Sequence, residues 1–369
     1  ALVDMYAKCG ELRKAQEVFY GLQTPDVFSW NTLLIAYLQH GYDEEVFCCF
    51  ELMKHNGIRA DMVTFISVLR ACGNIGGVRK GQGLHAEIVM MGLPENVIGS
   101  SLVDMYARCG ALDEAHKITD GLQVCDAFSL TALISGYVEH GHCEEALNCF
   151  EKLRGNGFIP DVSTFICILK ACGSSRSIVE GKRIHEEIVN RGFLDNDIVL
   201  GTALVDMYAK CGMLSKAWQV FEELYGRDIV SWTALIAGYA QAGQGHQALN
   251  CLELMQKEGL YPNEVTFTCI LNACSSIGAI DVGKQIHKEI LDRGFLEKYI
   301  VLGNALVDMY AKCGMLVKAK QLLEKLPIRN VATWNALVEG YAQEEKGHAA
   351  LDCFEQMKRE GVSTDEVTF

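Results

Sequence analysis

The sequence predicts an all-α solenoid built from helical hairpins, and three observations support this prediction. The phrase LVDMYAKCG begins at Leu2 and returns three times with at most one change, at Leu102, Leu204 and Leu306. Two other phrases keep the same spacing of about a hundred residues, SWNTLLIAY from Ser29 and VTFISVLRACG from Val63. Each period divides into three related units of about 35, 36 and 31 residues. Units of this size cannot bury their own apolar faces, so they stack on their neighbours.

Within one unit, the apolar residues have helical spacing on both sides of a glycine. In SSLVDMYARCGALDEAHKITDGL they recur at intervals of three and four residues up to Cys109, and again from Leu112 to Leu122. Gly110 stands between the two runs, which indicates two short amphipathic helices joined by a glycine turn. The corresponding segments of other units predict turns at Gly243 and Gly278.

The ten complete units are of three kinds. The first kind spans 27–61, 127–161, 229–263 and 331–365; the second spans 62–95, 162–197 and 264–299; the third spans 96–126, 198–228 and 300–330. Partial units 1–26 and 366–369 flank them, and the chain has no initiator Met. We therefore expect a single array over residues 1–369 that is a fragment of a longer protein.

Composition and charge narrow the classes of function. Half of the residues are apolar, but no run of eighteen apolar residues occurs, so a membrane partner is not expected. The net charge of −14 is unfavourable for binding nucleic acid, because affinity for phosphates comes from cations and counterion release. A solenoid can still place acidic residues outside and basic residues in its groove, so the local distribution matters more than the total.

Residue types typical of metal sites and catalysis lack the required spacing. His-x-Glu occurs at His85, His185 and His287, but the Pro-Cys-x-x-Cys half of the zinc-deaminase signature is absent, and we interpret the three histidines as scaffold residues. His140 to Cys143 form a short turn that is poorly suited to converge on one ion. Of sixteen cysteines, eleven recur in register, and we interpret these as small buried residues: Cys9, Cys109, Cys211, Cys313, Cys72, Cys172, Cys274, Cys49, Cys149, Cys251 and Cys353. We expect no catalytic residue, metal, cofactor or small-molecule substrate.

Taken together, the segment from Val27 to Asp61, the LVDMYAKCG phrases and VTFTCILNACSSIGAIDVGKQIHKEI resemble the pentatricopeptide repeat (PPR) family. The resemblance covers the whole chain and is closest to the plant subclass in which P, L and S units alternate. In that subclass the three kinds of unit above are P, L and S in this order. The family fold is a right-handed superhelical solenoid of helix-turn-helix repeats that binds single-stranded RNA, one base per repeat.

The resemblance implies that the fifth and last residues of each P or S unit face one base. Those pairs are Asn31/Asp61, Ser100/Asp126, Thr131/Asp161, Thr202/Asp228, Thr233/Asn263, Asn304/Asn330 and Asn335/Asp365. Only four short polar residue types occur at these fourteen positions, which favours recognition over packing, although Asp and Asn at a helix boundary also serve as caps. An ionised Asp only accepts hydrogen bonds and suits guanine N1–H or uracil N3–H, whereas Asn also donates and suits adenine or cytosine.

In the family, a small fifth residue goes with purines and Asn with pyrimidines. The pairs are then read as U, G, G, G, A, C or U, and U in chain order. The L-unit pairs Ile66/Glu95, Ile166/Asp197 and Thr268/Tyr299 are left unread, because Ile offers no hydrogen bond to a base. The expected site is 5′-U-x-G-G-x-G-A-x-Y-U-3′.

Two further sets of contacts follow from the same resemblance. The second residue of a unit lies against the base faces, which gives Phe28, Val97, Phe128, Val199, Val230 and Val301, with a core position as an equally good alternative and Ala332 as a small exception. A phosphate-contacting cation precedes the recurring Cys of each S unit, at Lys8, Arg108, Lys210 and Lys312, although a solvated helix face explains these residues almost as well. Four such contacts predict a log-log salt slope of about −3.

The subclass implies the targeting array of a cytidine-to-uridine RNA-editing factor in a mitochondrion or chloroplast. Its chemistry comes from a C-terminal deaminase-like domain that this segment lacks, so we expect the segment itself not to be an enzyme. The resemblance also implies accessory proteins of an editing complex as partners, bound through the L units. Two alternatives stay open: stabilisation, splicing or translation of a transcript by occupancy, and a protein-interaction scaffold, which the acidic charge and apolar L units favour.

Overall fold

The computed structural model describes residues 2–122, 126–194 and 197–365, apart from the side chains of Glu95 and Asn96. Over these ranges the chain forms 23 α-helices and no β-strand. It falls into two compact parts, Ala1–Ser175 and Arg176–Phe369, called the N-terminal body and the C-terminal body below. The all-α hairpin fold predicted from the sequence is confirmed.

The helices are short and regular. In the N-terminal body they are α1 (Leu2–Lys8), α2 (Leu12–Tyr20), α3 (Val27–Gln39), α4 (Asp43–His55), α5 (Met62–Asn74), α6 (Val78–Met90), α7 (Glu95–Arg108), α8 (Leu112–Gly121), α9 (Ala127–Glu139), α10 (Cys143–Gly155) and α11 (Val162–Ser175). In the C-terminal body they are α12 (Ile178–Asn190), α13 (Ile198–Lys210), α14 (Leu214–Glu223), α15 (Ile229–Gln241), α16 (Gly245–Lys257), α17 (Glu264–Ile277), α18 (Ile280–Asp292), α19 (Phe295–Lys298), α20 (Ile300–Lys312), α21 (Leu316–Lys325), α22 (Val331–Gln343) and α23 (Gly347–Arg359). In the described part of the chain, none is long and apolar enough to cross a bilayer.

The first helices of successive units form one row in each body. In the N-terminal body α3 packs on α5, α5 on α7, α7 on α9 and α9 on α11. In the C-terminal body the same row consists of α13, α15, α17, α20 and α22. Each second helix packs on the first helix that follows it, for example α4 on α5 and α14 on α15. The predicted fifth residues of the units therefore lie on the helices of this row.

Glycine turns connect the two helices of a unit, as the sequence predicts. Gly110 and Gly243 have φ angles of +76° and +70°, which a residue without Cβ adopts at little cost. At each turn, the N–H of the residue after the glycine donates to the carbonyl oxygen of the residue five positions earlier. Ala111 donates to Tyr106 O at 3.0 Å, and Gln244 donates to Tyr239 O at 2.9 Å. This C-terminal cap stops the first helix and reverses the chain.

Apolar side chains fix the spacing between units. Trp232 of α15 is 1% exposed, and its ring meets Phe221 of the preceding unit edge to face at 4.5 Å between centroids. Glycines of the L units admit methionines of the next unit: a Cβ on Gly283 would lie 2.7 Å from Met309 Sδ, closer than real contacts allow. Neighbouring units thus interlock through matched large and small residues.

The prediction that the recurring cysteines are all buried is wrong for one position of the S units. Cys9 is exposed, and Cys109, Cys211 and Cys313 are only partly buried. The last three are the C-caps of α7, α13 and α20, where the helix gives way to the glycine turn and leaves one side open to solvent. The cysteines at the other recurring positions are buried.

Candidate nucleic-acid interface

A groove of about 640 Å³ crosses the first-helix row of the N-terminal body. It brings together Arg108 of α7, Phe128 and Thr131 of α9, and Asp161 before α11. These four residues represent all three predicted roles: the phosphate contact, the base face and a base-reading pair. These four side chains come from two successive units, and residues of the two flanking L units, such as Ile66 and Thr164, complete the lining.

The last residue of a unit caps the first helix of the next unit. Each of these side chains accepts a hydrogen bond from the backbone N–H three residues later, at 2.8 to 3.1 Å: Asp61, Asp126, Asp161, Asp228, Asn263 and Asn330. The acceptor is Oδ1 in all six bonds. Capping is thus one function of this position, because it satisfies an N–H group that the helix leaves unpaired. At Asp161, the cap also holds a side chain that lines the groove.

The fifth residue of a P unit lies beside that cap. The Asn31 amide donates to Asp61 Oδ1 at 2.9 Å, and the Asn335 amide donates to Asp365 Oδ1 at 2.8 Å. A threonine at the third position of the following unit completes the cluster, since the hydroxyls of Thr131 and Thr164 are 2.9 Å apart. The two members of each of these predicted pairs are therefore linked by hydrogen bonds, directly or through the threonine, although Asn31 itself is only 6% exposed.

The Thr233/Asn263 pair is arranged in the same way through Thr266. The hydroxyls of Thr233 and Thr266 are 2.7 Å apart, and Thr266 Oγ1 donates to Asn263 Oδ1 at 2.8 Å. This third-position threonine was not among the residues predicted from the sequence. Its signal was present in the recurrence of VTF and STF at the start of each L unit.

In the S units, two fifth residues keep polar atoms without partners. Thr202 Oγ1 and Asn304 Oδ1 are buried, and neither has a hydrogen-bond partner among the described residues. A buried polar atom without a partner costs free energy, so both atoms are suited to accept a hydrogen bond from a bound ligand. Ser100 is partly buried on α7.

The second residues of the units point to solvent. Phe28 is 69% exposed and Phe128 58%, and the four valines of the predicted set are also exposed: Val97, Val199, Val230 and Val301. The alternative that these side chains belong to the core is therefore wrong. Ala332, the small exception, is exposed too. Val63 and Val265, the second residues of two L units, are exposed as well, but base-face contacts were predicted for P and S units only.

Each predicted phosphate cation forms an ion pair with an aspartate four residues earlier on the same helix. The pairs are Lys8–Asp4 at 3.0 Å, Arg108–Asp104 at 2.9 Å, Lys210–Asp206 at 2.7 Å and Lys312–Asp308 at 2.9 Å. Such exposed pairs contribute little to stability, but the acid offsets the charge of its partner. Burial lowers the pKa of Lys312, but the hydrogen bond that Lys312 donates to Asp308 and the negative charges of Asp308 and Glu339 together raise it more, so its pKa lies above the ordinary value.

Hydrogen bonding keeps the caps ionised. Burial raises the pKa of Asp61, but hydrogen bonds from the Thr64 backbone, Asn31 and the Thr64 hydroxyl lower it more, and the net pKa lies below the ordinary value of 3.8. The pKa of Asp161 is lowered in the same way through Thr164, against the effect of burial. At neutral pH both positions therefore present a carboxylate, which accepts hydrogen bonds and does not donate them.

A depressed pKa makes the contribution of Asp61 to stability depend on pH. This contribution is fully present above pH 3.8, the ordinary pKa of an aspartate, and it is lost as the pH falls through the lower pKa of Asp61 in the folded state. Asp61→Asn keeps the cap but does not titrate, so we expect its free energy of unfolding to fall less than that of the wild type between pH 5 and about pH 2. Urea unfolding across this range measures the difference. Asp352→Asn, at an exposed residue of α23, is the control, and an equal effect in both variants would contradict the role of the cap.

The recurring histidines bind tyrosines of the next unit and lie outside the groove. Nδ1 of His85, His185 and His287 is 2.8 to 3.0 Å from the hydroxyl of Tyr106, Tyr208 and Tyr310, respectively. These contacts join the second helix of an L unit to the following S unit. Over the described ranges, no group of three or more His, Cys, Asp or Glu side chains is placed to hold a metal ion.

Comparisons with known proteins agree with this architecture. The family model described as "PPR repeat family" matches residues 25–74, 126–174, 227–276 and 329–369, and the model described as "PPR repeat" matches 1–24, 202–229, 265–295 and 304–331. Two relatives from Arabidopsis thaliana are a chloroplastic pentatricopeptide repeat-containing protein, 33% identical over all of this chain and 60% of its own length, and a mitochondrial one, 32% identical over all of this chain and 53% of its own length. The chain thus spans between half and two thirds of these relatives.

A solved structure shares the fold at low sequence identity. The crystal structure of the pentatricopeptide repeat protein PPR10 in complex with an 18-nt psaJ RNA element has a TM-score of 0.81 to this chain. The superposition covers 99% of this chain and 56% of that one, at 19% identity.

Proposed function

Because the chain belongs to the pentatricopeptide repeat family, we propose that it binds single-stranded RNA in a sequence-specific manner, with one base for each P or S unit. The observation that carries the proposal is the cluster formed by the fifth residue, the capping last residue and the following threonine. It recurs at Asn31, Thr131 and Thr233, beside an exposed apolar second residue each time. Unpaired bases require this combination of an apolar face and an edge of hydrogen-bonding groups.

The geometry of the cap supports a rule for choosing the base. In every cap described above, Oδ1 of the last residue accepts a hydrogen bond from a helix N–H. The second terminal atom of the side chain, Oδ2 in Asp or Nδ2 in Asn, is therefore directed away from that bond. In Asp161 this atom is the acceptor Oδ2, and in Asn263 it is the donor Nδ2. An Asp unit therefore accepts from guanine N1–H or uracil N3–H, and an Asn unit donates to a ring nitrogen of adenine or cytosine.

The size of the fifth residue determines the choice between a purine and a pyrimidine. Thr131 and Thr233 are shorter than Asn31 and leave more room for a purine beside the cap. In chain order the units then specify 5′-U-x-G-G-x-G-A-x-Y-U-3′, with no base assigned to the L units. The RNA bound to PPR10 in a chain of the same fold supports RNA as the ligand.

We propose that the array acts in a mitochondrion or chloroplast as the targeting part of a cytidine-to-uridine editing factor. The P-L-S alternation supports the editing role, and the chloroplastic and mitochondrial names of relatives support an organelle. The array itself selects the RNA, and a deaminase-like domain elsewhere in the full-length protein supplies the chemistry. Accessory editing proteins would bind through the L units.

A gel-shift titration tests the proposed binding. We expect the ten-mer above to bind more tightly than a scrambled ten-mer of equal composition. Replacing its G, G, G and A by pyrimidines should remove most of the affinity, because the four units that specify purines lose their partners. Equal binding of all three RNAs would contradict base reading, and the absence of binding would contradict the proposed function as a whole.

A further inference from the structure

Two cations on the first-helix row belong to L units. Arg70 lies on α5 and Lys170 on α11, each at the ninth position of its unit, and both are exposed. Arg70 lines the same groove as Phe128, Thr131 and Asp161. Lys170 lies three residues beyond Cys167, which also lines the groove, so it occupies the same face of its helix. Neither cation forms an ion pair within the part of the N-terminal body that the structure describes.

The acids of the groove already have other contacts. Asp104 is bound by Arg108 Nε at 2.9 Å, and Asp161 is held by the N–H and hydroxyl of Thr164. Glu139, at the end of α9, is not among the residues that line the groove, and it accepts a hydrogen bond from Ser135 at 3.3 Å.

L and S units therefore distribute charge differently. In an S unit the ninth residue is an aspartate that neutralises the cation at the thirteenth position, as in Asp104 and Arg108. In the first two L units the ninth residue is a cation and the thirteenth is neutral, Asn74 or Ser174. The uncompensated positive charge on the groove face thus comes from the L units.

Resting on the RNA binding proposed above, we infer that Arg70 and Lys170 each bind a backbone phosphate of the RNA strand. The fifth residues of the same units, Ile66 and Ile166, have no hydrogen-bonding group for a base. These L units therefore hold the strand through its charge and leave its sequence unread. Phosphate contacts in the L units would give a chain with a net charge of −14 affinity for a polyanion, while the P and S units select the bases.

The salt dependence of binding tests this inference. We expect Arg70→Gln/Lys170→Gln to bind the ten-mer less tightly at low salt, with a log-log salt slope shallower by about 1.4, from roughly 0.7 for each lost contact. The ratio between the affinities for the ten-mer and its scrambled form should not change. Arg79→Gln is the matched control, because Arg79 is an exposed cation on the second helix α6, and it should leave the slope as in the wild type.

A gain-of-charge variant provides a second readout. The third L unit has the neutral, exposed Asn272 at the ninth position. Asn272→Lys should make the slope steeper by about 0.7 and tighten binding at low salt. If the wild type binds the ten-mer but neither variant changes its slope, the phosphate contacts are refuted while the RNA-binding function stands. If the wild type does not bind RNA, both proposals fail.

Discussion

Asn263→Asp should change the base preferred at the seventh position of the RNA from A to G. The two side chains are equally good N-caps, so the bond from the Thr266 backbone at 2.9 Å persists and the fold is unaffected. The atom beyond the cap changes from a donor to an acceptor, which removes a partner of adenine N1 and creates one for guanine N1–H. A hydrogen bond to a charged group is worth about 1.5–3 kcal/mol, so the ratio of affinities should change by roughly 10- to 150-fold.

Binding of the ten-mer with A or G at this position measures the change. Asn272→Asp, which adds the same charge at an exposed position of α17 outside the base-reading pairs, is the matched control. We expect it to weaken binding to both RNAs equally, because it repels phosphate without facing a base edge. An unchanged preference in Asn263→Asp would contradict base reading at this unit and favour capping alone.

Trp232→Ala should lower the free energy of unfolding more than the other tryptophan substitutions considered below, Trp232→Phe and Trp218→Ala. The indole is 1% exposed, packs on Phe221 at 4.5 Å and donates to Glu258 Oε2 at 2.8 Å. Truncating a fully buried Trp costs about 3–5 kcal/mol, which is a large part of the stability of a typical domain. In a solenoid this loss also weakens the interface between neighbouring units.

Urea unfolding followed by circular dichroism measures the loss. Trp232→Phe retains an aromatic ring beside Phe221 and removes the donor to Glu258, so it should cost less than Trp232→Ala. Trp218→Ala, at a partly buried ring on the second helix α14, should also cost less. If all three variants unfold at the same urea concentration, the contact between Trp232 and Phe221 does not hold the two units together.

Periodicity predicted the helices and the position of the turns because each unit repeats the same apolar spacing. The unit boundary at 95/96 is less clear in the structure, since α7 begins at Glu95 and its N-cap is Pro94 rather than an acidic residue. The short helix α19 in the last L unit was not foreseen. The ring centroids of Phe295 in this helix and Phe267 in α17 are 6.1 Å apart. Such a contact depends on the fold and not on the local spacing of apolar residues in the sequence.

The family resemblance predicted which positions read bases, whereas the contacts of those residues required coordinates. The restricted residue types at these positions are compatible with both capping and recognition, and the structure shows that capping occurs at Asp61 and Asn263. The exposure of Phe28 and Phe128 could not be deduced from their types, since large aromatic residues are usually buried. Likewise, spacing alone did not reveal that Arg70 and Phe128, which belong to different units, line one groove.

Selection from a pool of random RNA tests the central claim most directly. After several rounds of binding to the wild-type chain, the account predicts enrichment of U-x-G-G-x-G-A-x-Y-U, with strong preferences opposite the P and S units and none opposite the L units. Enriched RNAs without this order of purines and pyrimidines, or with their strongest preferences opposite the L units, would contradict it.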